Sequence, residues 1–215
     1  MVEIYDSHEQ SERVKNWLRE NGGAMAMGLI LAFGGLYGFK QWQLWSQSKE
    51  QKASAEYHVM VDLLGAGNLD GAVANYETLK ADHSKSAYTS LAELHMASAR
   101  VEAGQAELAL PMLESAMMNA EPSPVRMIAR ERLARVKMQL EDYEGAVALL
   151  DGAPDVSGFE AQFAEIRGDI RRRQGDSDGA VEYYRQALAL LEEGAGDRLF
   201  LQMKLEALGA SAGDA

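Results

Sequence analysis

Gly175-Asp176-Ser177-Asp178-Gly179-Ala180 is the clearest copy of a six-residue unit that occurs four times in this chain. The others are Gly67-Asn68-Leu69-Asp70-Gly71-Ala72, Gly104-Gln105-Ala106-Glu107-Leu108-Ala109 and Glu141-Asp142-Tyr143-Glu144-Gly145-Ala146. Each reads as a turn followed by a helix start, with another helix before it. The closing alanines are 37, 37 and 34 residues apart, a period that signals stacked helical units. Twelve residues before Ala109, Ala146 and Ala180 stand Ala97, Ala134 and Gly168, small residues where two helices must cross closely. Met60 breaks this pattern in the first unit, and Leu79 breaks the next small position, which Ala116, Ala153 and Ala187 fill elsewhere.

Around these units, residues 53–208 are dominated by Ala, Leu, Glu, Arg, Gln and Met and lack Val-Ile-Thr strand patterns, so the domain is all-α. The spacing resembles the tetratricopeptide repeat, a helix-turn-helix whose small residues fall at those crossings. The resemblance implies an α-solenoid with a curved groove lined by the first helix of each pair. In that register the groove positions are Leu91, Leu94 and Ser98, then Ile128, Glu131 and Arg135, then Gln162, Glu165, Asp169 and Arg172. The candidate partner-binding residues are Leu91, Leu94, Ile128, Arg135 and Arg172. Ile128 and Glu131 stand where some repeat proteins place a carboxylate-holding Lys and Asn cluster, which disfavours that mode. Leu199, Phe200, Leu201, Met203, Leu205 and Leu208 suggest a terminal capping helix, and residues 209–215 a disordered tail. Pro122, Pro124 and Pro154 punctuate the gaps between repeats.

Upstream of the repeats, Asn21 to Phe39 is a stretch of 19 residues without charge. As a helix it measures about 28 Å, close to the ~30 Å hydrocarbon core of a bilayer. Trp17 before it and Tyr37, Trp42 and Trp45 at its exit occupy headgroup depth. Five acids precede the stretch and Lys40-Gln41-Trp42 follows it, unlike a cleaved signal peptide. The expected layout is a head over 1–20, a transmembrane helix over 21–39, a linker or helix extension over 40–52, the repeat domain, and the tail. Gly34 and Gly38 make a GxxxG spacing suited to helix pairing. Arg13, Lys15 and Arg19 on one side balance Lys40, Lys49 and Lys52 on the other, so charge alone leaves the orientation open.

The first 52 residues hold six basic and six acidic side chains, so the net charge of −12 belongs to the repeat domain, which argues against nucleic acid as a partner. The absence of cysteine excludes disulfides and thiolate chemistry. His8, His58, His83 and His95 are scattered and no catalytic or cofactor motif occurs, so an enzyme is not expected, nor a metal or cofactor. Asp176-x-Asp178-Gly179 lacks a glutamate at the twelfth loop position and reads as a helix-starting turn. The basic clusters Arg126, Arg130, Arg132, Arg135, Lys137 and Arg171-Arg172-Arg173 read as paired with neighbouring acids.

Tyr5, Glu9-Gln10, Val14-Lys15, Trp17, Asn21-Gly22, the glycine-rich span and the ending Leu201-Gln202-Met203-Lys204-Leu205 resemble the YfgM family of bacterial inner-membrane proteins. That resemblance implies a single-pass ancillary subunit of the SecYEG translocon, with a cytoplasmic head and a periplasmic repeat domain. It further implies work beside a PpiD-type periplasmic chaperone on emerging, unfolded client proteins. The residues themselves leave open a cytoplasm-facing anchored scaffold for a regulatory or secretion complex.

Overall fold

The computed structural model describes residues 7–120, 123–153, 158–192 and 197–210. Tyr5, Pro122, Pro154 and the tail from Ser211 lie outside the described residues. The described elements are α-helices: α1 (Ser7–Gly65), α2 (Leu69–Asp82), α3 (Ala87–Glu102), α4 (Ala106–Asn119), α5 (Ser123–Gln139), α6 (Tyr143–Asp151), α7 (Glu160–Arg173), α8 (Ser177–Leu190) and α9 (Asp197–Glu206). The chain divides into two units, Met1–Gln51 and Lys52–Ala215.

In the first unit the apolar stretch is not a separate helix beginning at Asn21, because α1 starts at Ser7 and is unbroken through Gly22-Gly23 and through 40–52. Asn21 stays inside it by donating its side-chain amide to the Trp17 carbonyl at 3.0 Å. Leu29, Ile30, Leu31, Phe33, Leu36, Tyr37 and Phe39 all point into open surroundings. A helix this apolar with no buried side is long enough to cross a membrane. At its exit the Lys49 ammonium lies 4.1 Å from the Trp45 ring centroid.

In the second unit the six-residue units build one device four times. Gly67, Gly104, Glu141 and Gly175 take left-handed φ values of 73°, 73°, 64° and 83°. The amide after each then reaches back to close the preceding helix, as in Asn68 N–H to Leu63 O at 2.9 Å and Asp176 N–H to Arg171 O at 2.9 Å. That same residue opens the next helix: the side chains of Asn68, Asp142 and Asp176 accept the amides of Gly71, Gly145 and Gly179, each at 2.9 Å. The cap also explains the second glycine. A Cβ at 71, 145 or 179 would lie 2.3–2.7 Å from the capping side chain. Gln105 makes no cap bond, and there Leu108 is accommodated.

Each helix pair completes its core with the first helix of the next. Met60, Tyr76, Leu79 and Met96 join α1, α2 and α3, and Leu94, Leu113 and Leu133 join α3, α4 and α5. Met138, Leu150, Phe163 and Ile166 join α5, α6 and α7, and Ala164, Tyr184, Leu188, Leu201 and Leu205 join α7, α8 and α9. No repeat buries its apolar side alone, as in other solenoids. Met60 and Leu79, large where the pattern asks for small, are fully buried and fill the first crossing with side chain rather than close backbone. Ala153 lies past the end of its helix, since α6 stops at Asp151. Leu201 and Leu205 of α9 are buried, while Leu199, Phe200 and Met203 are exposed.

Candidate partner-binding groove

The first helices of the pairs supply two unlike surfaces. Over α5, α7 and α9 the charged groove positions Glu131, Arg135, Glu165 and Asp169 are consumed by one another and by Lys204. Arg135 Nε donates to Glu131 Oε1 at 3.0 Å, its Nη2 to Glu165 Oε2 at 3.4 Å, and its Nη1 lies 3.7 Å from Asp169 Oδ2. Lys204 Nζ reaches from α9 to Glu165 Oε1 at 2.6 Å and to both oxygens of Asp169 at 2.7 and 2.8 Å. The Tyr184 hydroxyl donates to Asp169 Oδ1 at 2.8 Å. Burial is the largest influence on Arg135 and works against its charge, yet Glu165, Glu131 and Asp169 outweigh it and hold the guanidinium more firmly protonated. Burial, then the bonded Asp169, pushes the Tyr184 phenol up, opposed by nearby Arg172. Three carboxylates thus face two cations, and little charge is left for a ligand.

Over the last turns of α1 and over α3 the surface is aromatic. The Tyr57 ring lies 5.7 Å from Tyr88, 5.8 Å from His95 and 5.5 Å from His58, centroid to centroid. Burial, then Tyr88, raises the Tyr57 phenol above its ordinary range. His58 and His95 are exposed, and Tyr57, Tyr88 and Leu91 half-buried. Such rings offer large contact area at low entropic cost to an extended segment.

Between the two surfaces α3 and α5 part over a cleft of about 300 Å³. Ala97, Val101, Leu113 and Val136 form its apolar lining, Ser98, Arg132, Arg135 and Gln139 its polar lining, and the Ser98 hydroxyl donates to Glu102 Oε1 at 3.2 Å. A depression of about 560 Å³ beside α6 and α7 is lined by both signs of charge, including Arg167 and Asp151 paired at 2.8 Å.

The structure sorts the expected partner-binding residues. Leu91 and Ile128 are half-buried on the groove side, with Ile128 leaning on the α3–α5 core. Leu94 is 5 % exposed and belongs to that core, so its side chain has no surface for a partner. Arg135 is engaged in the ion-pair network and Arg172 is exposed. A Cβ added at Gly34 or Gly38 would meet nothing within 4 Å. Of the other basic residues, Arg130 donates to Leu149 O at 2.7 Å and Lys137 pairs with Asp142 at 2.7 Å.

Tyr57, His58, Tyr88 and His95 were not among the expected residues. The signal for two of them was in the register: Tyr57 and His58 precede Met60 as Leu94 and His95 precede Ala97.

The model of the tetratricopeptide repeat-like domain matches residues 15–210, taking in the apolar stretch of α1 as well as the repeats. A protein of Escherichia coli (strain K12) named "Ancillary SecYEG translocon subunit" is 32 % identical over 180 residues, covering 83 % of this chain and 86 % of its own length. The chain belongs to the YfgM family. Two further relatives of the same name, from Haemophilus influenzae and Neisseria gonorrhoeae, are 28 % and 26 % identical, covering 87 % and 97 % of the chain and 91 % and 100 % of their own lengths. A crystal structure of a Podosopora anserina kinesin light chain with nearly identical TPR-like repeats superposes with a TM-score of 0.55 at 19 % identity. It covers 74 % of this chain and 85 % of its own, a likeness of fold. As a member of the YfgM family the chain carries the repeat-like match from Lys15 to Ala210.

Proposed function

We propose that this chain is an ancillary, non-enzymatic subunit of the SecYEG translocon in the bacterial inner membrane. Asn21 to Phe39 anchors it, with the head cytoplasmic and the repeat domain periplasmic. The repeat domain receives a PpiD-type chaperone, or an unfolded client, along the α1–α3–α5 face. The relatives' shared name, over both anchor and repeats, carries the assignment to the translocon. The open aromatic half of the groove, beside a half whose charges are already paired, supports the choice of face.

The test uses the cysteine-free chain. Ala207→Cys, exposed just after α9, is labelled in intact cells by a maleimide that does not pass the inner membrane if the repeats are periplasmic. Labelling only after lysis would put them in the cytoplasm and favour an anchored regulatory or secretion scaffold. Leucine at Gly34 and Gly38 is expected to weaken co-purification with SecYEG several-fold, and Leu91→Glu with Ile128→Glu to abolish chaperone crosslinking. Undiminished recovery of both partners would overturn the two docking surfaces.

A further inference from the structure

We infer that the α3–α5 cleft takes an extended segment carrying a large apolar residue and, two positions along, a carboxylate. This deepens the proposed function and rests on its assignment of the groove to a polypeptide partner.

The size and lining of the cleft set the first requirement. About 300 Å³ is at the small end of ligand-holding clefts, and half-buried Val101, over a floor of buried Ala97, Leu113 and Val136, offers an apolar side chain contact without hydrogen-bonding needs. The second requirement comes from Arg132 on its rim. Its Nη1 donates to the Leu94 carbonyl at 3.3 Å, which draws the guanidinium across the cleft mouth. Among the described residues Arg132 makes no ion pair, whereas Arg135, one turn on, is surrounded by Glu131, Glu165 and Asp169. A carboxylate arriving at the cleft therefore meets, beside the engaged Arg135, one lining cation that is in no ion pair among the described residues.

Backbone geometry supplies the spacing. In an extended chain residues i and i+2 share a face, about 7 Å apart. An apolar side chain in the cleft thus presents the residue two positions away to the rim, and the aromatic surface of Tyr57, Tyr88 and His95 continues the track on one side. On the other side the ion pairs of α7 and α9 close it. The domain's excess of negative charge repels acidic segments in bulk, so a preference for one must arise locally at Arg132.

The experiment uses the full chain in nanodiscs and three fluorescent twelve-residue peptides that are otherwise alike, carrying Leu-Ser-Asp, Leu-Ser-Lys or Ser-Ser-Asp at the centre. Anisotropy is expected to show the Leu-Ser-Asp peptide binding about tenfold tighter than either of the others. Arg132→Glu reverses the acid-over-base preference, and Ser98→Trp, filling the mouth from an exposed position, removes binding while leaving the helical signal intact. Arg173→Glu, the same charge change at an exposed α7 position outside the groove, leaves the preference in place. Equal binding of the acidic and basic peptides, indifference to Ser98→Trp, or an equal effect of Arg173→Glu would overturn the inference. Any of these results together with intact SecYEG co-purification would leave the translocon assignment standing, whereas loss of that co-purification tests the assignment alone.

Discussion

The two halves of the groove put the faces of their helices to opposite ends. Where α1 and α3 carry Tyr57, Tyr88 and His95, α7 and α9 carry Glu165, Asp169 and Lys204. The first set stays half open and makes ring contacts that a partner can extend. The second satisfies itself across 35 to 39 residues of sequence and ties the last helix to its predecessor. A solenoid helix face is thus a neutral frame: residue type decides whether it recruits a partner or fastens a neighbour.

The sharpest way to break this comparison is Lys204→Met, which takes the ammonium away from the Tyr184 and Phe200 rings and leaves Asp169 and Glu165 with Arg135 as their one cation. Both partners of the Lys204–Asp169 pair are largely buried, so the loss is expected to cost about 3 kcal/mol, read by denaturant melts in detergent. His95→Ala on the exposed face serves as its control and is expected to shift stability by under about 0.5 kcal/mol. Equal costs would mean that the halves do not differ in role.

Gly168→Ala comes next, at about 2 kcal/mol. A Cβ there would lie 2.6 Å from the Tyr184 ring, which burial and the Asp169 bond hold in place. Ala97 and Ala134 cause no such clash because Leu113 and Leu150 stand where Tyr184 does in the repeat. Differential melting of Gly168→Ala, alone and with Tyr184→Leu, should show the pair costing less than the sum. Simple addition would disconnect the glycine from the tyrosine.

The smallest effect concerns Glu93, a buried acid that, unlike Asp169, forms no ion pair within 4 Å among the described residues. Burial raises its carboxyl above the ordinary range, offset in part by the Ser115 hydroxyl and the charge of Lys80. The folded pKa lies above the unfolded one, so the folded chain binds more protons between the two, and stability falls as pH rises through that window. Glu93→Gln is expected to raise stability on the order of 1 kcal/mol at pH 8 and to change it little once the native acid is protonated. A gain of the same size at both pH values would show that charge is not the cause.

What the sequence revealed follows from range. The turns were legible because a left-handed glycine, an Asx cap and a capped amide sit within five residues, as at Gly175, Asp176 and Gly179. The crossing residues were legible because their spacing repeats. The ion-pair closure was not, since Lys204 lies far from Asp169 and belongs to a helix outside the repeat period. Leu94 shows a finer limit: its register position borders both groove and core, and packing against α4 and α5 turned it inward. The aromatic half was missed at Met60, where one large residue hid a register that its neighbours keep.

The contact of Lys204 with Glu165 and Asp169 also bears on how such arrays change length. Repeat arrays grow by duplication of a unit, and a second copy of α7 and α8 would set a new Glu165 and Asp169 against the originals in the place α9 now holds. Like charges would meet in a half-buried seam, with the lysine displaced one unit away. The last described helix thus works as a full stop written in charge: Lys204 gives Glu165 and Asp169 the answer that another copy of α7 would withhold.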